Sequence, residues 1–335
     1  MEPSLETRCR ELVAELNIAD AEDVTAVAPL TGGVASDIAR VRIGHKDICV
    51  KFALPKLKVS EDWRAPLHRN AAEYAWLEVA ASIAPSASVE LFGRSVSAHG
   101  FAMEFVSGDG VWLWKSELLE GRVHAGAAAL VGNLLGRVHA ASATEEFDTS
   151  AFANRDDFLA LRIEPYLLFT ASRHPDLATR LTKLADDLFA CNEALVHGDV
   201  SPKNILFRGD RPLLLDAECA TMGSAAFDPA FCMNHLILKA VHLRHLANDL
   251  LTEARAFWSA YSGQVDFAEI ESRTAQLIPA LMLARVDGKS PVEYLRREDQ
   301  DRVKRIALPL IDKPVPTMDS LLESVAQALG RSQSE

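Results

Sequence analysis

Between residues 105 and 110 the spacing of apolar residues changes, and few folds accommodate the change. Up to "AMEFV" the chain reads mainly as short strands, and after "SGDG" (Ser107 to Gly110) mainly as helices. Upstream, Ile38, Val41 and Ile43, then Ile48, Val50 and Phe52, predict two strands. "GHKD" (Gly44 to Asp47) lies between them as a turn, which makes a hairpin. "VELFGRSVSAHGFAMEFV" predicts two further strands around a glycine-containing turn. "HRNAAEYAWLEVAASIA" reads as one inserted helix, with Ala72, Trp76 and Val79 at helical spacing and Pro85 as its stop. A leading helix over 4–19 carries Leu5, Leu12, Val13 and Leu16 on one side. Downstream, helical runs are broken by two β-like pieces, "ILF" and "PLLLDAE", around the polar turn "RGDR". The expected class is α+β and bilobal: a small β-rich lobe over 1–106, a larger helical lobe over 107–335, and a cleft between them suited to a ligand.

Bulk properties exclude several partners. With 335 residues, 49% of them apolar, the chain can bury a sizeable core. Its formal net charge of −12 argues against sequence-independent nucleic-acid binding and against an anionic membrane surface. The same charge is compatible with a cationic small molecule. The five cysteines are scattered without a C-x-x-C pair, as expected of reduced core thiols in a cytoplasmic protein. "MEPSLETRCR" has no apolar stretch, so no signal peptide is expected. The longest apolar run is interrupted by Asn133, Arg137 and His139, short of the roughly 20 residues a membrane span needs.

Chemistry is concentrated in "LVHGDVSPKNILF". Asp199 and Asn204 have the D-x-x-x-x-N spacing of a phosphoryl-transfer loop: the aspartate can accept a hydroxyl proton, and the amide oxygen can ligate Mg²⁺. An Asx-capped turn explains the same spacing. "LLLDAECA" adds Asp216 and Glu218 twelve residues on. On an extended segment the two would project to one side, beside Asn204, as an oxygen cage for Mg²⁺ bridging the phosphates of ATP. "VKFA" sets Lys51 in an apolar strand, where its ammonium could neutralise those phosphates. Its expected partner is Glu73 on the following helix, with Glu78 second. Gly32 and Gly33 form a turn that lets backbone N–H groups approach phosphate oxygens, and the backbone near Glu104 and Val106 could meet an adenine edge.

"HGDVSPKNILF" followed by "LLLDAECATMGSAAFDPAF" resembles the aminoglycoside phosphotransferase and choline kinase superfamily, from about Leu30 to "FDPAFCMNHL" and more weakly beyond. That resemblance implies the bilobal protein-kinase-like fold, and ATP and Mg²⁺ as cofactors. It also implies structural roles for His197 and for Asp228, the latter bracing the catalytic loop. More narrowly, "VKFALPKLKVSEDWRAPLHRNAAEYAWLEV" is similar to methylthioribose kinases. The carry-over makes Lys51 the phosphate-binding lysine, Asp199 the catalytic base, and Asp216 and Glu218 the metal ligands. Asn204 within "SPKN" departs from those kinases toward the aminoglycoside pattern. Where they carry twin arginines, "LARVDGKSPVEYL" offers Arg285 with Lys289 nearby, so another sugar or polyol is compatible.

Arg162, Glu164 and Tyr166 in "LRIEPYL" are further substrate candidates, although the plainer reading of Arg162 is a helix-surface ion pair. Asp287 and Arg285 are weighed the same way. The expected activity is transfer of the γ-phosphoryl of ATP to a hydroxyl of a sugar-like small molecule. The rivals are O-phosphorylation of an aminoglycoside or amino alcohol, and a catalytically inactive nucleotide-binding protein of the same fold. A choline-type acceptor would want an aromatic cage, for which Trp258 and Tyr261 are the available rings. A homodimer is compatible with the sequence.

Overall fold

Alternation along one strand decides where the site lysine points. In the structure, a computed structural model describing residues 3–30, 36–56 and 66–331, the predicted hairpin forms from β2 (Ser36–Ile43) and β3 (Lys46–Ala53). Ile43 pairs with Lys46 across a two-residue turn at Gly44 and His45. Ile48, Val50 and Phe52 of β3 join a small core with Cys9, Leu12 and Val13 of α1 (Leu5–Glu15). Cys49 faces the other way, into the larger core with Ala72, Trp76 and Leu77 of α2 (Arg69–Ile83). Lys51, two residues on, shares the face of Cys49. Burying a Phe-sized side chain is worth about 1.5–3 kcal/mol. A one-residue slip would therefore move Val50 and Phe52 out of the core at large cost, which fixes the register.

The sheet is completed by β1 (Val24–Pro29), β4 (Leu91–Ser95) and β5 (Gly100–Glu104), in the antiparallel order β1-β2-β3-β5-β4. Lys51 stands between Ile38 and Phe101 in this order, in a central strand. The fold is α+β and bilobal, of the protein-kinase-like kind. The larger core is continuous through both halves of the chain.

The second half is helical around two small sheets. Short β6 (Val111–Leu113) leads into α3 (Trp114–Leu119) and α4 (Ala127–Ser142). A single helical stretch follows: α5 (Arg155–Phe158), a wider π-type segment over Leu159–Leu168 that contains Pro165, and α6 (Phe169–Arg173). Pro165 has no N–H to donate, and the wider spiral accommodates it. After α7 (Ala178–Ala190), β7 (Ala194–Val196) pairs with β10 (Thr221–Gly223). Between them β8 (Ile205–Arg208) and β9 (Arg211–Leu214) form the predicted hairpin, and β6 adds to its edge in the order β6-β8-β9. α8 (Phe227–His242) is buried from Phe227 to Val241. It is enclosed by α9 (Ala247–Ser262), α10 (Ile270–Asp287) and α11 (Arg297–Asp312), and α12 (Met318–Arg331) closes the chain. Among the described residues no helix is long and apolar enough to cross a membrane.

Candidate active site

Lys51 is held by carboxylates from both halves of the chain. Its Nζ donates to Glu73 Oε1 of α2 at 2.8 Å and also to Asp216 Oδ1, just after β9. Lys51 and Glu73 are each 2% exposed, whereas Glu78 lies at the surface. Burial opposes the lysine's charge, but Asp216 and Glu73 outweigh it and raise the ammonium's pKa. Burial pushes Glu73 up to about 7 despite the lysine, while Asp216 is held below the usual carboxylate range, where Lys51 outweighs its own burial. Asp216 therefore carries the charge that Lys51 answers.

The catalytic-type loop after β7 is locked from behind. Asp228, at the start of α8, accepts from the backbone N–H of His197 at 2.6 Å and of Gly198 at 2.9 Å, with His139 Nε2 at 3.3 Å. His197 Nδ1 accepts from Asp199 N at 3.2 Å, and its ring meets the Trp76 edge at 4.7 Å. Gly198 has φ +82°, and a Cβ there would lie 2.8 Å from Cys219 Cβ. Asp199 emerges from this frame in contact with two cations: Arg162 Nη2 at 3.1 Å and Lys203 Nζ at 3.0 Å, both on Oδ2. Ser201 Oγ donates to Oδ1 at 3.2 Å. Burial would raise its pKa, but Lys203 and Arg162 outweigh burial and hold it far below the usual carboxylate range.

Two expectations need correction here. Asp216 has φ +69°, so the segment is not the extended strand that the expectation assumed. Glu218 instead accepts from Arg69 Nε at 2.9 Å, and Arg69 is 1% exposed. Arg162 is no surface ion pair: it is buried, donates to the Gly198 carbonyl and to Asp199, and so is attached to the catalytic-type loop.

The donor set suits a hard cation in part. Asn204 spends Nδ2 on the Asp199 carbonyl at 3.1 Å, which leaves its Oδ1 for a ligand. The Leu215 N–H to Asn204 carbonyl bond of 2.9 Å brings Asp216 beside it. An amide oxygen and a carboxylate are the donors Mg²⁺ prefers. Among the described residues no three His, Cys, Asp or Glu side chains form a closed metal cage.

Lys51, Glu73, Lys203, Asn204 and Asp216 line a cavity of about 380 Å³. Ile38, Met103, Leu206 and Leu215 line the same cavity, as do Glu104 and Val106. Glu104 Oε1 accepts from Arg208 Nη2 at 2.6 Å, which ties β5 to β8. Gly32 and Gly33 lie outside the described residues. Glu164 is exposed, and among the described residues no hydrogen bond ties it to the loop. Arg285 is buried, with Nη1 on Tyr166 Oη at 3.1 Å and Ser290 Oγ at 3.0 Å. Asp287 is occupied by His174 and Lys304, each at 2.9 Å. Trp258 and Tyr261 are core residues, and Tyr261 donates to the Ala225 carbonyl at 2.9 Å, so they form no aromatic cage. Lys203 and Arg69 escaped the sequence reading. Both carried a signal: Lys203 is four residues after Asp199, and Arg69 is one helical turn before Glu73.

Fold and site together define a phosphotransferase-type chain. The profile of the Phosphotransferase enzyme family (APH) matches residues 26–271, and the chain belongs to that family. It is 25% identical over 257 residues to a methylthioribose kinase of Pectobacterium atrosepticum, a match spanning 66% of this chain and 64% of that protein. Choline kinase LicA from Streptococcus pneumoniae has the same fold, with a TM-score of 0.52 at 15% identity over 98% of this chain and 99% of that one. So does amicoumacin kinase hAmiN in complex with AMP-PNP, Ca²⁺ and Ami, with a TM-score of 0.53 at 12% identity over 93% of this chain and 97% of that one.

Proposed function

We propose that this chain is an ATP-dependent small-molecule kinase that transfers the terminal phosphoryl group to a hydroxyl of a sugar or sugar-like acceptor. One observation carries the reading: Lys51, gripped by Glu73 and Asp216, lines one cavity with Asn204, whose loop also bears Asp199. Lys51 would neutralise nucleotide phosphates, and the apolar side chains of the cavity would take the base. Asn204 and Asp216 would hold Mg²⁺, which when bound spreads the phosphate charge. Glu218, braced by Arg69, would keep the Asp216 turn in shape.

Asp199 would accept a hydrogen bond from the acceptor hydroxyl and aim it in line with the phosphoryl group. Its pKa is held so low that it is a weak base, so it would take the proton only as the oxygen–phosphorus bond forms. Most of the rate enhancement would then come from positioning and from the cations around the transferring group. Lys203, in contact with Asp199 and in the wall of the cavity, is suited to that second task.

Similarity to methylthioribose kinases supports a sugar-like acceptor. Two cations on Asp199 weigh against an acceptor amine next to the reacting hydroxyl. A binding-only role gives no reason to keep a buried, charge-paired carboxylate at this point. The test is ADP formation against a panel of sugars, polyols and aminoglycosides. Asp199→Ala should lose at least 10²-fold in kcat, the scale of general-base effects. Nucleotide binding, followed by calorimetry with AMP-PNP, should persist. Near-normal turnover by this variant would defeat the assignment.

A further inference from the structure

Beyond Asp199, on α8 and α10, lie buried basic side chains that no carboxylate pairs among the described residues. Lys239 is 1% exposed and, among the described residues, makes no hydrogen bond or ion pair; its Nζ sits 5.0 Å from the centre of the Tyr294 ring. His235, one turn earlier on α8, is buried with Nε2 unpartnered, and the buried Nε of Arg285 and Oη of Tyr294 likewise lack partners. These groups connect to the reacting loop by contact. Arg162, which holds Asp199, lies one turn before Tyr166, and Tyr166 Oη takes the Arg285 hydrogen bond. The Tyr166 ring packs 5.6 Å from Phe231, and Phe231 packs 5.2 Å from His235.

The charges in this region do not balance. Arg162, Arg285 and Lys239 are buried; Arg162 meets Asp199, whereas among the described residues no carboxylate pairs with Arg285 or Lys239. Glu293 approaches, but it is exposed and paired with Lys115. Burial, reinforced by Arg285 and Lys239, holds the His235 imidazole well below its usual range. Burial, then Lys115, pulls the Lys239 ammonium down to about 7. A buried ammonium without a counter-charge is costly, and an apolar residue of equal size would cost nothing there.

We propose that Lys239, His235 and Arg285 receive an anionic group of the acceptor, so that the molecule phosphorylated is a hydroxyl-bearing anion, either a hydroxy acid or a phosphate ester of a sugar. This rests on the phosphotransferase reading for what the anion is attached to. The arriving anion supplies the missing counter-charge and draws a proton onto Lys239. Its hydroxyl end then reaches Asp199, past Tyr166.

Matched acceptors test the inference: ribonate and ribose 5-phosphate against neutral ribitol and cationic kanamycin. ADP formation is followed, and binding is measured by calorimetry at pH 8 in buffers of different ionisation enthalpy. An acid or phosphate ester should have a kcat/KM at least tenfold above that of ribitol, and which of the two wins tells carboxylate from phosphate. Its binding should take up protons, and Lys239→Met should abolish the uptake and raise KM more than it lowers kcat. His235→Gln should weaken the same anion with the proton uptake retained, which separates loss of the site from misfolding. If ribitol or kanamycin turns over as well as the anions, the inference falls and the kinase reading stands. If neither anion binds or turns over better than ribitol, it falls likewise; if no acceptor of any kind yields ADP, the kinase reading falls with it.

Discussion

Asp199 is a carboxylate kept ionised by design of its neighbours, and this sets the pH behaviour expected of the enzyme. Its folded pKa is depressed because Lys203 and Arg162 outweigh its burial. The stabilising contribution of these pairs is present above the unfolded value, about 3.9, and is lost as pH falls through the folded value. No acid limb from Asp199 should therefore appear in kcat between pH 5 and 8. Arg162→Gln removes one cation and raises the Asp199 pKa, so an acid limb should enter the profile from the low side; a flat profile in that variant would mean Arg162 does not tune the base. Glu73→Gln tests the other charged pair. Lys51 then keeps Asp216 as its sole carboxylate, the ammonium tilts toward it, and KM for ATP should rise roughly tenfold, the scale of about 1.4 kcal/mol. Glu73 and Lys51 were legible because strand and helix periodicities are local. The positive φ at Asp216, whose carboxylate bonds Lys51, was not, since no spacing reveals it.

The element that decides the geometry of the site is the turn from β7 into Asp199, and it is anchored by the first turn of α8. Asp228 binds two successive backbone N–H groups there, which fixes the direction in which Asp199 leaves the sheet. Gly198 makes the turn possible, with φ +82° and no room for a Cβ beside Cys219. Gly198→Ala should destabilise the fold by about 1–3 kcal/mol, the range for a strained non-glycine backbone. Chemical denaturation should show a lower midpoint with an unchanged slope. Hairpins such as β2–β3 and β8–β9 could be read from the sequence, because alternation and turn residues are adjacent in the chain. β6 could not: three residues, Val111 to Leu113, become a strand only by pairing with Leu206 to Arg208, nearly a hundred positions away. The π-type segment was invisible for a similar reason, since its apolar spacing passes for an α-helix.

Across the whole molecule, net charge and local charge point in opposite directions. The surface is acidic, at −12 overall, yet the interior beside Asp199 collects cations. Composition alone was compatible with a cationic ligand, because exposed acids dominate the count and three buried bases do not change it. The sequence "PAFCMNHLILKAVHL" did carry the hint: His235 and Lys239 interrupt an apolar helix at i and i+4, and so share one face. An unpartnered lysine in that position should weaken the unliganded fold, with a defined pH signature. Cys232, His235, Arg285 and Tyr294 surround it, with Lys115 and Glu293 beyond, and burial leads the forces that lower its pKa to about 7. Unfolded lysine titrates near 10.4, so between these values the unfolded chain binds one more proton, and stability rises with pH. Below about pH 7 both states are protonated and the full penalty applies, with an upper bound on the order of 5 kcal/mol. Lys239→Met should therefore stabilise the unliganded protein near pH 7 by a substantial part of that amount, with a gain that shrinks toward pH 10. Denaturation midpoints of the two proteins across this range measure it directly. A saturating anionic acceptor should stabilise the wild type and leave the variant largely unmoved, closing the gap near pH 7. If the variant is instead less stable at pH 7, Lys239 is satisfied within the fold and has no need of a ligand.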